Sequence, residues 1–334
     1  MGHASGAGRP EARVPGGREL TRRVLGDLPP FGHASGQECS FPSALAAATR
    51  TDYAWLMGTC GAAFITGIDA DHWDPLAATP RDPPTQARAA AAAGVRLDHV
   101  APPFDDELRE LVAERVIEAI GDKLPPIVEG PEGPPEYGLL VGYDTDARTF
   151  LARPFLAAEG KPASVARDAL LAAPGGIFFL DRGTAPGRAA LARDGIRAAL
   201  AAADASDEAA RAWMDALRDD ARWTDPKHAG SAAFADHAMR RIFVDKRRSA
   251  ALFLRSARSI FMSTPGVDLL RAAESYGLAA DAVAKTGTGD FDATVALRFL
   301  DRGQRRGLAN ALEAAVGHER EGRDALAAAE KAIA

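Results

Sequence analysis

Residues 134–144 read Pro134-Pro135-Glu136-Tyr137-Gly138-Leu139-Leu140-Val141-Gly142-Tyr143-Asp144. The two prolines break what precedes, and Gly138 to Tyr143 is almost entirely apolar. That run predicts a strand buried on both faces. The turn-like Asp144-Thr145-Asp146 leads into another strand at 149–155. Upstream, Pro125-Pro126-Ile127-Val128-Glu129 reads as a short buried strand behind a breaker. Downstream, Ile177-Phe178-Phe179-Leu180 marks a fourth strand over 176–180, after a short helix at 164–172. Residues 105–121 place Leu108, Leu111, Val112, Val116, Ile117 and Ile120 three and four apart, one face of a helix. Nearer the start, Gly36-Gln37-Glu38-Cys39-Ser40-Phe41-Pro42-Ser43-Ala44-Leu45 sets a cysteine at the beginning of a helix that continues through 43–50. One early helix followed by successive antiparallel strands is the order of an α+β domain, not of an alternating α/β one.

From 187 onward the chain reads as helix. The change falls near Asp181-Arg182-Gly183-Thr184-Ala185-Pro186-Gly187, so the expected organisation is a leader at 1–19, an α+β domain at 20–183 and an α-helical domain at 187–334. Ser206 is the expected cap of one helix, with Ala210, Trp213, Met214 and Leu217 on its apolar face. Phe243, Ala250, Phe253, Ala257 and Ile260 form the stripe of another over 236–262, with Lys246-Arg247-Arg248 read as its wet face. Thr264-Pro265 opens a third, ended by Gly277.

The net charge of −6 and a pI near 5.7 argue against an electrostatic grip on nucleic acid or an anionic membrane. The two cysteines, Cys39 and Cys60, have no zinc spacing and exclude a disulfide framework. No secretory apolar segment and no run of about 18 apolar residues occurs, so the expected location is the cytoplasm. The cluster Asp69, Asp71, His72 and Asp74 lacks the glycine and closing glutamate of a calcium loop and reads as an exposed turn. Gly58-Thr59-Cys60-Gly61 and Gly287-Thr288-Gly289 match no phosphate-loop or dinucleotide fingerprint. No metal and no cofactor is expected.

The order of the 126–128 strand, the 136–144 segment and Phe150-Leu151-Ala152-Arg153-Pro154 resembles the second half of papain-like bacteriocin-processing cysteine peptidases. It is also similar to the N-terminal domain of the butirosin-biosynthesis acyltransferase family. The stretch Met57-Gly58-Thr59-Cys60-Gly61-Ala62-Ala63-Phe64 looks like a segment of bacterial proteins related to that group, which carry a helical C-terminal region as well. The resemblance covers roughly residues 30–183. It implies a papain-like domain followed by the helical one, with a cleft between the Cys39 helix and the Glu136 strand.

The resemblance also assigns roles. Cys39 matches the nucleophile, at a helix start where the dipole favours thiolate. Gln37 is a candidate oxyanion donor, although the glutamine of such peptidases stands further upstream, at His33 here. The position of the family histidine is Glu136, and that of the family aspartate is Arg153. A carboxylate beside a thiol opposes its ionisation, whereas a Glu136–Arg153 ion pair would replace the histidine–aspartate pair structurally. His33, His72 and His99 remain as displaced bases. His33, Tyr137 and Tyr143 are expected to line the cleft. Two functions stay open. One is a degenerate domain that binds a small molecule or peptide. The other is a Cys39-dependent acyltransferase or amide hydrolase, for which an acyl carrier would be a partner. Self-association is compatible with both.

Overall fold

A computed structural model describes residues 21–131, 134–157, 162–172 and 175–333; the leader expected at 1–19 lies outside them. The chain begins with β1 (Arg22–Val24), α1 (Ser40–Thr49), α2 (Tyr53–Thr59), α3 (Pro83–Ala92), β2 (Val95–Val100) and α4 (Asp106–Gly121). It continues with β3 (Ile127–Glu129), β4 (Tyr137–Asp144), β5 (Thr149–Arg153), β6 (Ala163–Ala166), α5 (Arg167–Ala172) and β7 (Ile177–Arg182). Six helices follow: α6 (Arg188–Ala201), α7 (Ala203–Arg218), α8 (Pro226–Arg258), α9 (Thr264–Ala284), α10 (Ala293–Arg298) and α11 (Arg302–Ile333).

The strands form one antiparallel sheet in the order β2-β7-β3-β4-β5-β6, with β1 also paired to β4. β4 is its centre. β3 pairs with its first half and β1 with its second along one edge, while β5 takes the other edge. All but the last residue of β4 is buried, as expected of an apolar run with a neighbour on each side and a layer on each face.

Those two layers are distinct. Leu139 and Val141 of β4 face a core shared with α1 and the later helices, whereas Leu140 packs with Val112, Val116 and Ile120 of α4. α1 is buried on every side but its C-terminal end, the mark of a central helix. Its core continues without a break into α8, α9 and α11. Edge-to-face contacts of Phe253 with Phe64, and of Phe64 with Tyr276, join the sheet-bearing part to the helices. No helix among the described residues is long and apolar enough to cross a membrane.

Several local expectations change. Residues 164–172 are half strand and half helix, because β6 adds to the edge of β5 before α5 begins. Ser206 does not cap a helix. It is buried within α7, where its Oγ accepts the Thr66 N–H at 3.1 Å. Gly277 does not end α9, which runs on to Ala284. Lys246 and Arg247 are not on a wet face: they are 3% and 0% exposed. Each lies one helical turn from Phe243 and from Ala250, so spacing alone places them on the buried stripe.

Candidate functional site: a cleft at the start of the buried helix

Cys39 is the residue before α1, with an extended backbone and no side-chain cap. Its side chain is 0% exposed. Burial pushes the thiol far above its ordinary range, and Asp245 and Glu136 add to the effect against an opposing pull from Lys246. A helix N-terminus favours thiolate only where water or a cation stabilises the charge as well. Here the sulfur is enclosed. The Cys39 N–H donates to Tyr53 Oη at 3.3 Å. The Tyr53 hydroxyl in turn donates to Asp245 Oδ2 at 2.6 Å, which also accepts the Glu38 N–H at 2.9 Å.

The side chain on α1 that meets Glu136 is Ser40, one residue later. The Ser40 hydroxyl donates to Glu136 Oε2. The Glu136 side chain is 17% exposed, and its cationic neighbour is Arg81, at 3.6 Å. Arg81 is shared: it pairs with Glu129 at 2.7 Å, donates to the Pro135 carbonyl and lies 5.0 Å from the Tyr137 ring centre. Burial raises the Glu136 pKa, while Ser40 and Arg81 offset part of the rise.

The Glu136–Arg153 ion pair expected from the sequence is therefore replaced. Arg153 ends β5 opposite Leu139. Its guanidinium stands 5.8 Å from the Phe31 ring, with a buried Nε that has no partner among the described residues. The physical reason is register: Arg153 pairs with Leu139, three residues beyond Glu136, whereas Arg81, from the loop before α3, comes within 3.6 Å of the acid. Gln37 is engaged too, its Oε1 accepting from Ser43 Oγ at 2.6 Å.

His33 stands 2.9 Å from Glu38 Oε2 through Nδ1. Glu38 also pairs with Arg241 of α8 at 2.8 Å. Burial alone would raise the Glu38 carboxyl, but His33 and Arg241 hold it below the usual range. Tyr137 and Tyr143 are separated by the sheet. Tyr137 packs edge-on to Phe41 of α1 and takes a hydrogen bond from Gln86 Nε2 at 3.1 Å. Tyr143 belongs to the α4 layer. The register of β4 against β5 slips between Leu140 and Gly142. One extra residue there reverses the alternation of faces, so Tyr143 cannot reach the cleft. His72 is on an exposed turn, bonded to Asp69 at 2.9 Å. His99 of β2 stacks on Phe178 at 4.2 Å. Neither is beside Cys39.

A cleft of about 590 Å³ opens where the sheet-bearing part meets α8. His33, Glu38 and Glu136 stand on one side of it, and Phe234, Arg241 and Phe291 on the other. Cys39 is not among the residues that line it. Its volume falls within the range of small-ligand sites, about 300–1,000 Å³. Phe234, half exposed, meets Phe291 edge-on at 5.3 Å.

Sequence reading missed Ser40, Arg81, Arg241 and Asp245. Arg81 and Arg241 reach the site from 55 residues before and 105 residues after Glu136, by the numbering, and nothing local marks them. Ser40 was legible as the neighbour of Cys39 at the helix start. No protein-family model matches the chain, and no curated protein matches it.

Proposed function

We propose that this protein is a non-catalytic binding module on a papain-like scaffold, holding a small molecule or short peptide in the cleft between the Glu136 edge of the sheet and α8. The observation that carries this reading is the separation of the thiol from the cleft. Cys39 is enclosed and its pKa raised, while Glu136, His33 and Glu38 face open space. A nucleophile must be within reach of its base and of its substrate. In this chain the position of the base holds a carboxylate bonded to Ser40, and the sulfur faces the core. What remains is a concave, largely apolar surface with a few fixed polar groups, which is the composition of a binding site.

The test has two arms. Native protein exposed at neutral pH to an acyl thioester and to iodoacetamide is read by intact mass spectrometry. Cys39 is expected to stay unmodified until denaturant is added. Adduct formation faster than with a free thiol, lost in Cys39→Ala, would overturn the reading in favour of acyl transfer. In the second arm, a library of small molecules and di- and tripeptides is screened by thermal shift. Hits are expected to weaken in Phe234→Ser, a substitution on a half-exposed wall of the cleft, and in Glu136→Gln. A screen whose hits are indifferent to both would remove the cleft from consideration.

A further inference from the structure

Lys246 is a buried lysine on α8. It is 3% exposed, yet no carboxylate lies within ion-pair distance of it among the described residues. Buried lysines are rare and almost always paired, because desolvating an ammonium is costly. Lys246 instead donates to two backbone carbonyls, Ala78 O and Ile65 O, the latter at 3.1 Å. Those two bonds use two of the three donor positions of an ammonium, and the third has no hydrogen-bond partner among the described residues.

Lys246 lines a cavity of about 510 Å³ together with Asp74, Thr79, Arg81 and Asp82. The cavity lies across the turn at Pro75–Ala78 from the cleft described above; Asp74 and Leu76 border both. Arg81 is fully engaged, through Glu129, Pro135 O and Thr79 Oγ1. Asp82 caps α3 by accepting the Thr85 N–H at 2.8 Å. Burial lowers the Lys246 pKa. Of the charged and titratable neighbours, Arg247 pushes the same way, while Cys39, Cys60 and Asp245 oppose it. A lowered pKa raises the fraction of lysine present as free amine, the form that attacks carbonyl carbon.

We propose that Lys246 is a covalent capture site, its Nζ forming an imine with a small aldehyde or ketone that enters the cavity behind the Pro75–Ala78 turn. The Nζ lone pair attacks the carbonyl carbon, and the carbonyl oxygen takes up a proton to give a carbinolamine. Nζ gives up a proton, the C–O bond breaks, and the oxygen leaves as water. One C=N bond replaces one C=O bond, one water is released, and nothing is oxidised or reduced. This inference does not rest on the cleft reading: the two cavities share Asp74 and Leu76 at the turn between them, but Lys246 lines the one behind the turn and not the cleft.

The experiment uses the full chain, propanal as the carbonyl probe and sodium cyanoborohydride to reduce any imine, at pH 7. Modified sites are located by peptide mass mapping over a time course. Lys123, Lys285 and Lys331 are exposed and serve as references in the same sample. An exposed lysine is free amine to less than about one part in a thousand at pH 7. Lys246 is therefore expected to be alkylated about tenfold faster than the references, or more. Ala77 stands exposed at the rim of the cavity. Ala77→Trp is expected to slow the reaction at Lys246 and leave the references unchanged, without touching the lysine itself. Lys246→Met removes the fast site. Modification of Lys246 no faster than the references, or equally fast in Ala77→Trp, overturns the proposal.

Discussion

Asp245, half-buried on α8, brings three segments together by accepting from Tyr53 Oη and from the Glu38 N–H. Burial pushes its carboxyl from 3.8 up to about 6, against the lowering effect of those two donors. A carboxyl raised in the folded state adds stability at acid pH, and that contribution disappears as pH rises through the folded value. The effect expected between pH 5 and 7.5 is on the order of 1–1.5 kcal/mol, the rest of the loss falling below pH 5. Asp245→Asn keeps an oxygen for both donors and cannot ionise. In urea unfolding, the wild type is expected to lose stability relative to Asp245→Asn between pH 5 and pH 7.5. A difference between the two that does not vary with pH would show that Asp245 does not titrate in this range. The residue was invisible in the sequence for a physical reason. A charged run inside a helix is ordinarily solvated, and what shelters Asp245 is a tyrosine and a backbone amide some two hundred positions earlier.

Helices α2, α6 and α8 cross at two glycines. A Cβ on Gly58 of α2 would run into the Phe253 ring of α8, and one on Gly195 of α6 would come within 2.6 Å of the Gly58 carbonyl oxygen and 2.9 Å of Phe253 Cζ. Removing the side chain is what lets the three helices approach. Gly58→Ala gains helix propensity in isolation, but in this crossing overpacking is expected to outweigh it, destabilising by about 3 kcal/mol. Thermal unfolding measures it, and a variant as stable as the parent would mean that Phe253 can swing aside. Gly58 and Phe64 belong to one short motif, and Phe253 packs against both, so the motif records a packing requirement. Elements with strong local signals were legible in this way: the apolar β4, the spaced face of α4, and the proline-opened α9. β2 was not, because Arg96, Asp98 and His99 interrupt it. Among the described residues it pairs with β7 alone, at the edge of the sheet, and an edge strand tolerates such charges. The helix at Ser40 was legible. That its cysteine turns inward while its serine meets Glu136 was not, since one residue of rotation on a helix is below what spacing resolves.

At the scale of the molecule, α8 holds the sheet-bearing part and the remaining helices together through a buried ion pair. Arg247 donates to Glu319 of α11 at 2.6 Å, to Ala63 O at 3.0 Å and to Thr66 Oγ1, with its guanidinium 4.4 Å from the Phe243 ring centre. One guanidinium thus ties the turn after α2 to the last helix. The apolar core follows the same path from α1 to α11 without a gap. If the two parts share one core, they lose it together, despite a chain long enough for two domains. Glu319→Ala leaves the buried guanidinium without its counter-charge, and the expected loss is about 3–5 kcal/mol. Glu319→Gln, which keeps a hydrogen-bond acceptor, is expected to lose less. Amide exchange read by mass spectrometry separates the alternatives. With a common core, the slowest amides of β4 and of α9 exchange at one global rate in the parent. In Glu319→Ala both speed up by the same factor, although α9 and β4 lie on opposite sides of the molecule's midline in sequence. Acceleration confined to α9 and α11, with β4 unchanged, would instead show that the helices open as a separate unit and that the pair stabilises only their own packing.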